Sequence, residues 1–264
     1  TYPTDQLLKV EYTDESDHTF SGLNVQLFEG AQLNLLSVKT VKIETADHDD
    51  HPYILKPELL ILEPDFLIDI TALCACIKPY GNSAYTHLLN KFASSKRSAA
   101  IQLGNAANQF LDDCINENAE ESTEEQLYLR SLQNSFRLSP LAWSVTPDID
   151  REFFERCKTQ FRQIRHTIQN RFHTAGIDIS QTEVQLEPSF LCEALGLQGR
   201  MDLLTRDTRK LVELKSGKAE EYPHRSPRSE HLLQMGLYKE ILYYNLNRPH
   251  EEVQSFLFYS RYPQ

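Results

Sequence analysis

Gly199-Arg200-Met201-Asp202-Leu203-Leu204-Thr205-Arg206-Asp207-Thr208-Arg209-Lys210-Leu211-Val212-Glu213-Leu214-Lys215-Ser216-Gly217-Lys218 is the stretch on which the fold turns. Two apolar-rich runs flank a short polar segment, the pattern of a β-hairpin. A two-residue loop centred between Asp207 and Thr208 sets 206 opposite 209. Continued outward, that register sets Asp202 opposite Glu213. Directly opposed residues hold their Cβ atoms ~4.5–5.5 Å apart on one face, so the two carboxylates are expected side by side. Lys215 lies two residues beyond Glu213 and shares its face, because side chains alternate along a strand.

Adjacent carboxylates repel, and each raises the cost of ionising the other unless a cation lies between them. Hard oxygen ligands suit Mg²⁺ or Mn²⁺. An ion held there polarises a phosphodiester oxygen and acidifies a bound water. The Lys215 ammonium is then placed to orient that water or to offset charge developing on phosphorus. The plainer reading of the same residues is a solvated hairpin with cross-strand charge pairs, since Glu-x-Lys is common on exposed strands. Neighbouring segments tip the balance. Glu187, on the preceding extended segment, offers a third carboxylate. Downstream, Gln234 and Tyr238 in Glu230-His231-Leu232-Leu233-Gln234-Met235-Gly236-Leu237-Tyr238 are four residues apart and share one helical face. Taken singly, Tyr238 reads as a half-buried aromatic and Gln234 as a surface residue.

The bulk composition sets bounds. The 264 residues, 40% hydrophobic and 25% charged, suffice for one large domain or two modest ones and argue against global disorder. No apolar run approaches the ~18 residues of a membrane span. Thr1-Tyr2-Pro3-Thr4-Asp5 lacks the basic start and apolar core of a signal peptide, so an intracellular protein, cytoplasmic or nucleoid-associated, is expected. Cys74, Cys76, Cys114, Cys157 and Cys192 make no disulfide scaffold and read as reduced thiols, mostly buried. The net charge of −11, from 27 basic and 38 acidic residues, argues against coating nucleic acid by bulk electrostatics. It leaves room for an enzyme that grips a phosphodiester locally through a divalent ion. Residues 112–125 are strongly acidic and read as a solvated helix end and linker. His224, Arg225, Arg228 and His231 form a basic cluster with Lys215 and Lys218.

Along the chain, residues 6–63 read as short extended segments such as Leu7–Tyr12, Leu33–Val38 and Tyr53–Leu55, with Glu29-Gly30 and Asp47–His51 as turn material. They suggest a small β-rich unit, OB-like in character. Ile68-Asp69-Ile70-Thr71 then leads into a region of helical periodicity from about 82 to 173, with Leu88, Leu89 and Phe92, and Leu103, Ala107, Phe110 and Leu111, at three-to-four spacing. Asp148-Ile149-Asp150 caps a long helix that ends near Gly176. Strand character returns over 183–217, helix over 229–246 and strand over Val253–Tyr259. The expected fold is α/β, with a helical insertion before the core and the small β unit before that.

These residues resemble a known family. Gly199-Arg200-Met201-Asp202, Glu213-Leu214-Lys215-Ser216-Gly217-Lys218 and Gln234-x-x-x-Tyr238 are similar to the RecB-type branch of the PD-(D/E)XK nucleases, in particular the nuclease domains of helicase–nucleases that trim flaps during Okazaki-fragment processing. Leu195–Asp202 and Glu230-His231-x-x-Gln234 follow the same pattern, as do Pro64–Thr71 and Leu103–Asn108 further upstream. The resemblance spans roughly 64–260 and is strongest over 187–238. It implies a restriction-endonuclease-like core over 64–264 preceded by an OB-like β-domain over 1–63. It also implies a divalent-metal-dependent nuclease acting on DNA, single-stranded or flapped, with a fused or associated helicase module.

Carried over residue by residue, the resemblance makes Asp202 and Glu213 ligands of Mg²⁺ or Mn²⁺ and Lys215 the catalytic lysine. Glu187 becomes an accessory acid near the metal, and Gln234 and Tyr238 line the site. Two departures qualify it. The family's Gly-x-x-x-His, whose histidine reaches the metal, is here Gly104-Asn105-Ala106-Ala107-Asn108, and an Asn108 carbonyl is a poorer ligand than imidazole. Relatives often carry an iron–sulfur cluster on four cysteines, but no cysteine follows Cys192 and the early position falls on Pro79, so no cluster is expected in this chain. No P-loop pattern occurs. Two other functions fit the sequence less fully: a nuclease-fold module that binds DNA or scaffolds without cutting, and an unrelated α+β protein with a charged hairpin.

Overall fold

The computed structural model describes residues 32–42, 53–78, 81–93, 97–116, 123–180, 183–220, 224 and 226–262. Its first element is a ribbon. Leu33–Leu36 (β1) and Lys39–Lys42 (β2) run antiparallel to Leu59–Leu62 (β4) and Tyr53–Lys56 (β3), respectively. Both pairings keep one register, so the four strands are a single hairpin interrupted at Ser37-Val38 and Pro57-Glu58. Ser37 has φ 53°, and Pro57 has no N–H to give a ladder. The expected strand segments around 33–38 and 53–55 lie in this ribbon. Leu7–Tyr12, Glu29-Gly30 and Asp47–His51 lie outside the described residues, and the described part of 1–63 is a two-stranded ribbon with no closed barrel in it.

Ile68–Asp69 (β5) leads directly into Ile70–Ala75 (α1), where Asp69 Oδ1 accepts the Thr71 N–H at 2.8 Å as an N-cap. Ile77–Lys78 (β6) and Gly81–Asn82 (β7) form a small hairpin, followed by Tyr85–Phe92 (α2). Four helices come next: Ala99–Ile115 (α3), Glu124–Leu138 (α4), Pro140–Val145 (α5) and Arg151–Thr167 (α6). A capping box between Thr123 and Gln126 starts α4. Asp150 caps α6 through Phe153 N, and the helix continues as a π-turn over Ile168–Phe172 before Gly176 reverses the chain at φ 65°. Of the acidic run, Asn116, Glu124 and Glu125 are exposed, as expected of a solvated helix end, while residues 117–122 lie outside the described residues and the last turn of α3 is more buried. Asp112 and Asp113 belong to the last turn of α3, between Leu111 and the buried Cys114 and Ile115. Burial on that side draws the turn into the core.

Val184–Leu186 (β8), Ser189–Cys192 (β9), Leu197–Arg200 (β10) and Leu203–Thr205 (β11) again share one register, β9 with β10 and β8 with β11. They are one long hairpin bent at Glu187-Pro188 and Met201-Asp202, and the bend is held by Glu187 N–H to Asp202 O (3.0 Å) and Met201 N–H to Pro188 O (3.1 Å). Beyond the bend, β10 takes β5 as a parallel neighbour. On the near side, β11 pairs with Lys210–Lys215 (β12), and β12 lies parallel to Gln254–Tyr259 (β13), giving the order β13-β12-β11-β8. Ser229–Leu246 (α7) crosses over between β12 and β13.

Strand alternation sends Leu203, Val212 and Leu214 into a core with α3, α4 and α6. Leu204 and Leu211 go into a second core with Ile70 of α1 and with Met235, Tyr238 and Ile241 of α7. The sheet is thus covered by helices on both faces, as an α/β protein requires. Asp202, Glu213 and Lys215 share the alternation of Leu204 and Leu211, and so the α7 face. All five cysteines are buried free thiols. Among the described residues no helix is long and apolar enough to cross a membrane.

Candidate active site

The hairpin loop between β11 and β12 is wider than two residues. Thr208 N–H bonds Thr205 O at 2.8 Å, and Thr208 takes φ 60°. Asp207 Oδ1 accepts from Thr205 Oγ1 (2.6 Å) and Arg209 N (3.0 Å). The widening is symmetric, so the expected register survives: Leu203 faces Val212, Leu204 faces Leu211, and one step further Asp202 faces Glu213. Asp202 accepts the Leu214 N–H through Oδ2 at 2.6 Å, which fixes its carboxylate against β12.

Around Glu213, which is 4% exposed, a closed set of hydrogen bonds joins β12 to α7. Glu213 Oε1 accepts from Lys215 Nζ (2.8 Å) and from Gln234 Nε2 (2.8 Å), and Lys215 Nζ also donates to Gln234 Oε1 (2.9 Å). Gln234 Nε2 lies 2.9 Å from the Tyr238 hydroxyl, which donates to the Arg200 carbonyl at 2.6 Å. The amide has one sensible orientation, since its flip would put an NH₂ against an ammonium and an oxygen against a carboxylate. Gln234 is 4% and Tyr238 1% exposed. The four-residue stride expected to put them on one face does so, and that face looks into the site.

Electrostatics single out the same carboxylates. Burial raises the Asp202 pKa, and the charge of Glu213 raises it further against the Leu214 N–H and Lys215. Burial likewise raises Glu213, opposed chiefly by the charge and hydrogen bond of Lys215. Two carboxyls driven up together are short of positive charge. Glu213 Oε2 is buried and has no partner in hydrogen-bonding geometry. Leaving such an oxygen dry costs about 1–3 kcal/mol, and more for a charged group. A hard cation between Asp202 and Glu213 answers both deficits, so the residues present fit a divalent ion.

The remaining sequence-derived ligands stand apart from this cluster. Among the described residues no three His, Cys, Asp or Glu side chains come close enough to hold an ion. Glu187 sits opposite Asp202 in the bent hairpin, but its backbone is left-handed (φ 49°). Its carboxylate is paired with Arg200 Nη1 at 3.2 Å. On α3, Gly104, Asn108 and Asp112 follow one another at four-residue steps on one face. A Cβ on Gly104 would lie 3.4 Å from Ser216 Oγ, and Asp112 lies in the fields of Glu187 and Arg200. Asn108, half-buried between them, therefore sits on the face turned to the bend.

Three residues near the site escaped the sequence reading. Asp112 is pushed up to about 7 by burial and then by Glu187, and its signal was the stride from Gly104 through Asn108. Gln160 of α6 donates to the Ser216 carbonyl (3.0 Å) and accepts from Ser260 Oγ (2.8 Å). Ser260 N–H in turn bonds the Lys215 carbonyl at 3.0 Å. Gln160 and Ser260 are 3% and 0% exposed. They pin the backbone where β12 ends, immediately after Lys215. A glutamine among Phe153, Cys157, Phe161 and Ile164 on the buried face of α6 was the readable sign.

Fold and site together define an α/β protein whose central hairpin and neighbouring strand carry a carboxylate pair, Asp202 and the buried Glu213, and a lysine under a covering helix. The family model of the PD-(D/E)XK nuclease superfamily matches residues 73–264, and the chain belongs to that superfamily. Its members generally cleave phosphodiester bonds, typically with divalent ions such as Mg²⁺ or Mn²⁺. No curated protein matches the chain.

Proposed function

We propose that this chain is a divalent-metal-dependent deoxyribonuclease whose cleavage centre is Asp202, Glu213 and Lys215. The supporting observation is the partnerless buried Oε2 of Glu213 beside the Asp202 carboxylate. It lies on the interior strand β12 beside Lys215, whose ammonium is held by Glu213 and Gln234. When bound, Mg²⁺ or Mn²⁺ supplies charge neutralisation and an acidified water at these oxygens. Asp202 and Glu213 would hold it, and the resemblance adds Glu187 and Asn108 as accessory ligands. Lys215, anchored by Glu213 and Gln234, orients the attacking water and offsets charge on phosphorus. Gln234 keeps Lys215 from swinging out, and Tyr238 ties the strand that bears Asp202 through the Arg200 carbonyl.

The resemblance of residues 187–238 to flap-processing helicase–nucleases supports single-stranded or flap DNA as substrate and a helicase module as partner. Cleavage of labelled single-stranded and flapped DNA in Mg²⁺, Mn²⁺ or EDTA, with Asp202→Ala alongside, tests the reading. Metal-dependent cutting that disappears in the variant is expected. Asn108 in place of a histidine favours a second reading, a nuclease-fold module that binds DNA or scaffolds without cutting. Clean folding and DNA binding with no cleavage in any metal is the outcome that reading requires.

A further inference from the structure

Resting on the reading above, we infer that Arg200 is a counter-cation that holds the Glu187 carboxylate aside in the metal-free protein, yields it when a divalent ion binds, and is then free to meet the DNA backbone. Glu187 and Asp202 are directly opposed across the bend, joined by the Glu187 N–H to Asp202 O bond of 3.0 Å. The two residues face each other across the bend, yet the Glu187 carboxylate pairs with Arg200 instead, at 3.2 Å. The left-handed backbone at Glu187 is uncommon for a non-glycine residue and is held by its surroundings.

The pair is built to be exchanged. The two side chains are 61% and 35% exposed, and ion pairs this open contribute little. The backbone beneath is fixed, because the Arg200 carbonyl takes the hydroxyl of Tyr238 at 2.6 Å. An exposed guanidinium is thus carried on a fixed backbone two residues before Asp202. Charge balance points the same way. Among the described residues the acids Asp112, Asp113, Glu187, Asp202 and Glu213 outnumber Lys215 and Arg200, the cations that act on them, so the bend is short of positive charge. Asp112 feels both Glu187 and Arg200, which places the guanidinium among these acids. A guanidinium released there presents a planar fork of donors suited to phosphate.

The test uses Mn²⁺ titration followed by electron paramagnetic resonance on the full chain, with no readout of cleavage. Arg200→Gln, at an exposed side chain, should bind Mn²⁺ about two- to five-fold more tightly than the parent. Glu187→Gln should bind it more weakly, and adding Arg200→Gln to Glu187→Gln should give no tightening. With Ca²⁺ present, the dependence of single-stranded oligonucleotide affinity on log salt should flatten by about 0.7 in Arg200→Gln, and without divalent ion it should not change. Unchanged or weaker Mn²⁺ binding in folded Arg200→Gln, or an unchanged salt slope in Ca²⁺, overturns the inference. If the parent binds Mn²⁺ and Asp202→Ala does not, such a result sinks the Arg200 role alone. If neither parent nor Asp202→Ala binds Mn²⁺, the metal-dependent reading of the site falls, and the inference with it.

Discussion

The ribbon of β1–β4 and the bent hairpin of β8–β11 are built on one plan, and only one of them makes a site. Each keeps a single register along its length and breaks midway. Each break pairs a left-handed non-glycine residue with a proline on a strand end: Ser37 with Pro57, and Glu187 with Pro188. In the ribbon the break faces solvent, with Val38 39% exposed and a Lys39–Glu58 pair at 76% and 61%. In the bent hairpin it is enclosed by α3, α7 and β12, and each contributes polar groups. A kinked hairpin is a cheap shape. What converts it into a candidate catalytic centre is convergence of other elements on the kink, which gathers carboxylates ranging from the part-exposed Glu187 to the buried Glu213.

The comparison breaks most sharply at the chemistry. Lys215→Ala should lower single-turnover cleavage about 10²–10³-fold, whereas Lys39→Ala in the ribbon should leave it unchanged. An equal small loss in both would show that the hairpin's lysine carries no special role. Next come the two left-handed positions. Glycine should relieve backbone strain of roughly 1 kcal/mol at each. Ser37→Gly should therefore raise the melting temperature with activity intact. Glu187→Gly should gain backbone stability in the same sense while losing about 10–100-fold in metal affinity or activity.

A third expectation concerns the polar anchor behind β12. Gln160→Leu strands the Ser216 carbonyl and should cost about 1–3 kcal/mol in chemical denaturation. Cleavage by the folded fraction should fall as well, because the segment after Lys215 loosens. The smallest effect is in pH. Asp112 titrates at about 7 in the folded chain, against ~4 for an unfolded carboxyl. The folded state thus binds the extra proton, and stability is greatest below pH 4 for this group and is lost as pH rises through about 7. Asp202, also raised by burial and by Glu213, adds in the same direction. Metal-free protein should melt higher at pH 5.5 than at pH 8 on account of these groups, and Mg²⁺ or Mn²⁺ should narrow the gap by stabilising the ionised pair. A gap that divalent ions leave untouched would separate the acids from the metal.

What the sequence disclosed, and what it withheld, follows the range of the interactions. The α/β core and the facing of Asp202 and Glu213 were readable because a hairpin register is local. Even an error in loop length left it intact, since Arg206–Arg209 widened the turn equally on both strands. Gln234 and Tyr238 were readable as a helical pair, but their partners were not. The contacts of Gln234 with Glu213 and Lys215, and of Tyr238 with Arg200, arise only when α7 docks on the sheet. Asp112 was read as solvated because it opens an acidic run, yet Cys114 and Ile115 beside it pull that turn inward. Gln160 and Ser260 meet across most of the second half of the chain, and nothing in either neighbourhood names the other. The β-rich reading of 1–63 was legible only as extended segments, since short strands in series do not say whether they close on one another.

The close approach of Gly199 to Tyr238 reaches beyond geometry. A Cβ at Gly199 would stand 2.9 Å from Tyr238 Cε1 and 3.1 Å from Ile70 Cδ1. The phenol that braces Arg200 therefore occupies the space a larger residue 199 would need. Drift at either position is conditional on the other: a lineage can enlarge residue 199 only after surrendering the ring at 238, and with it the brace on the strand that bears Asp202. Two sites far apart in the gene are thereby yoked into one heritable unit.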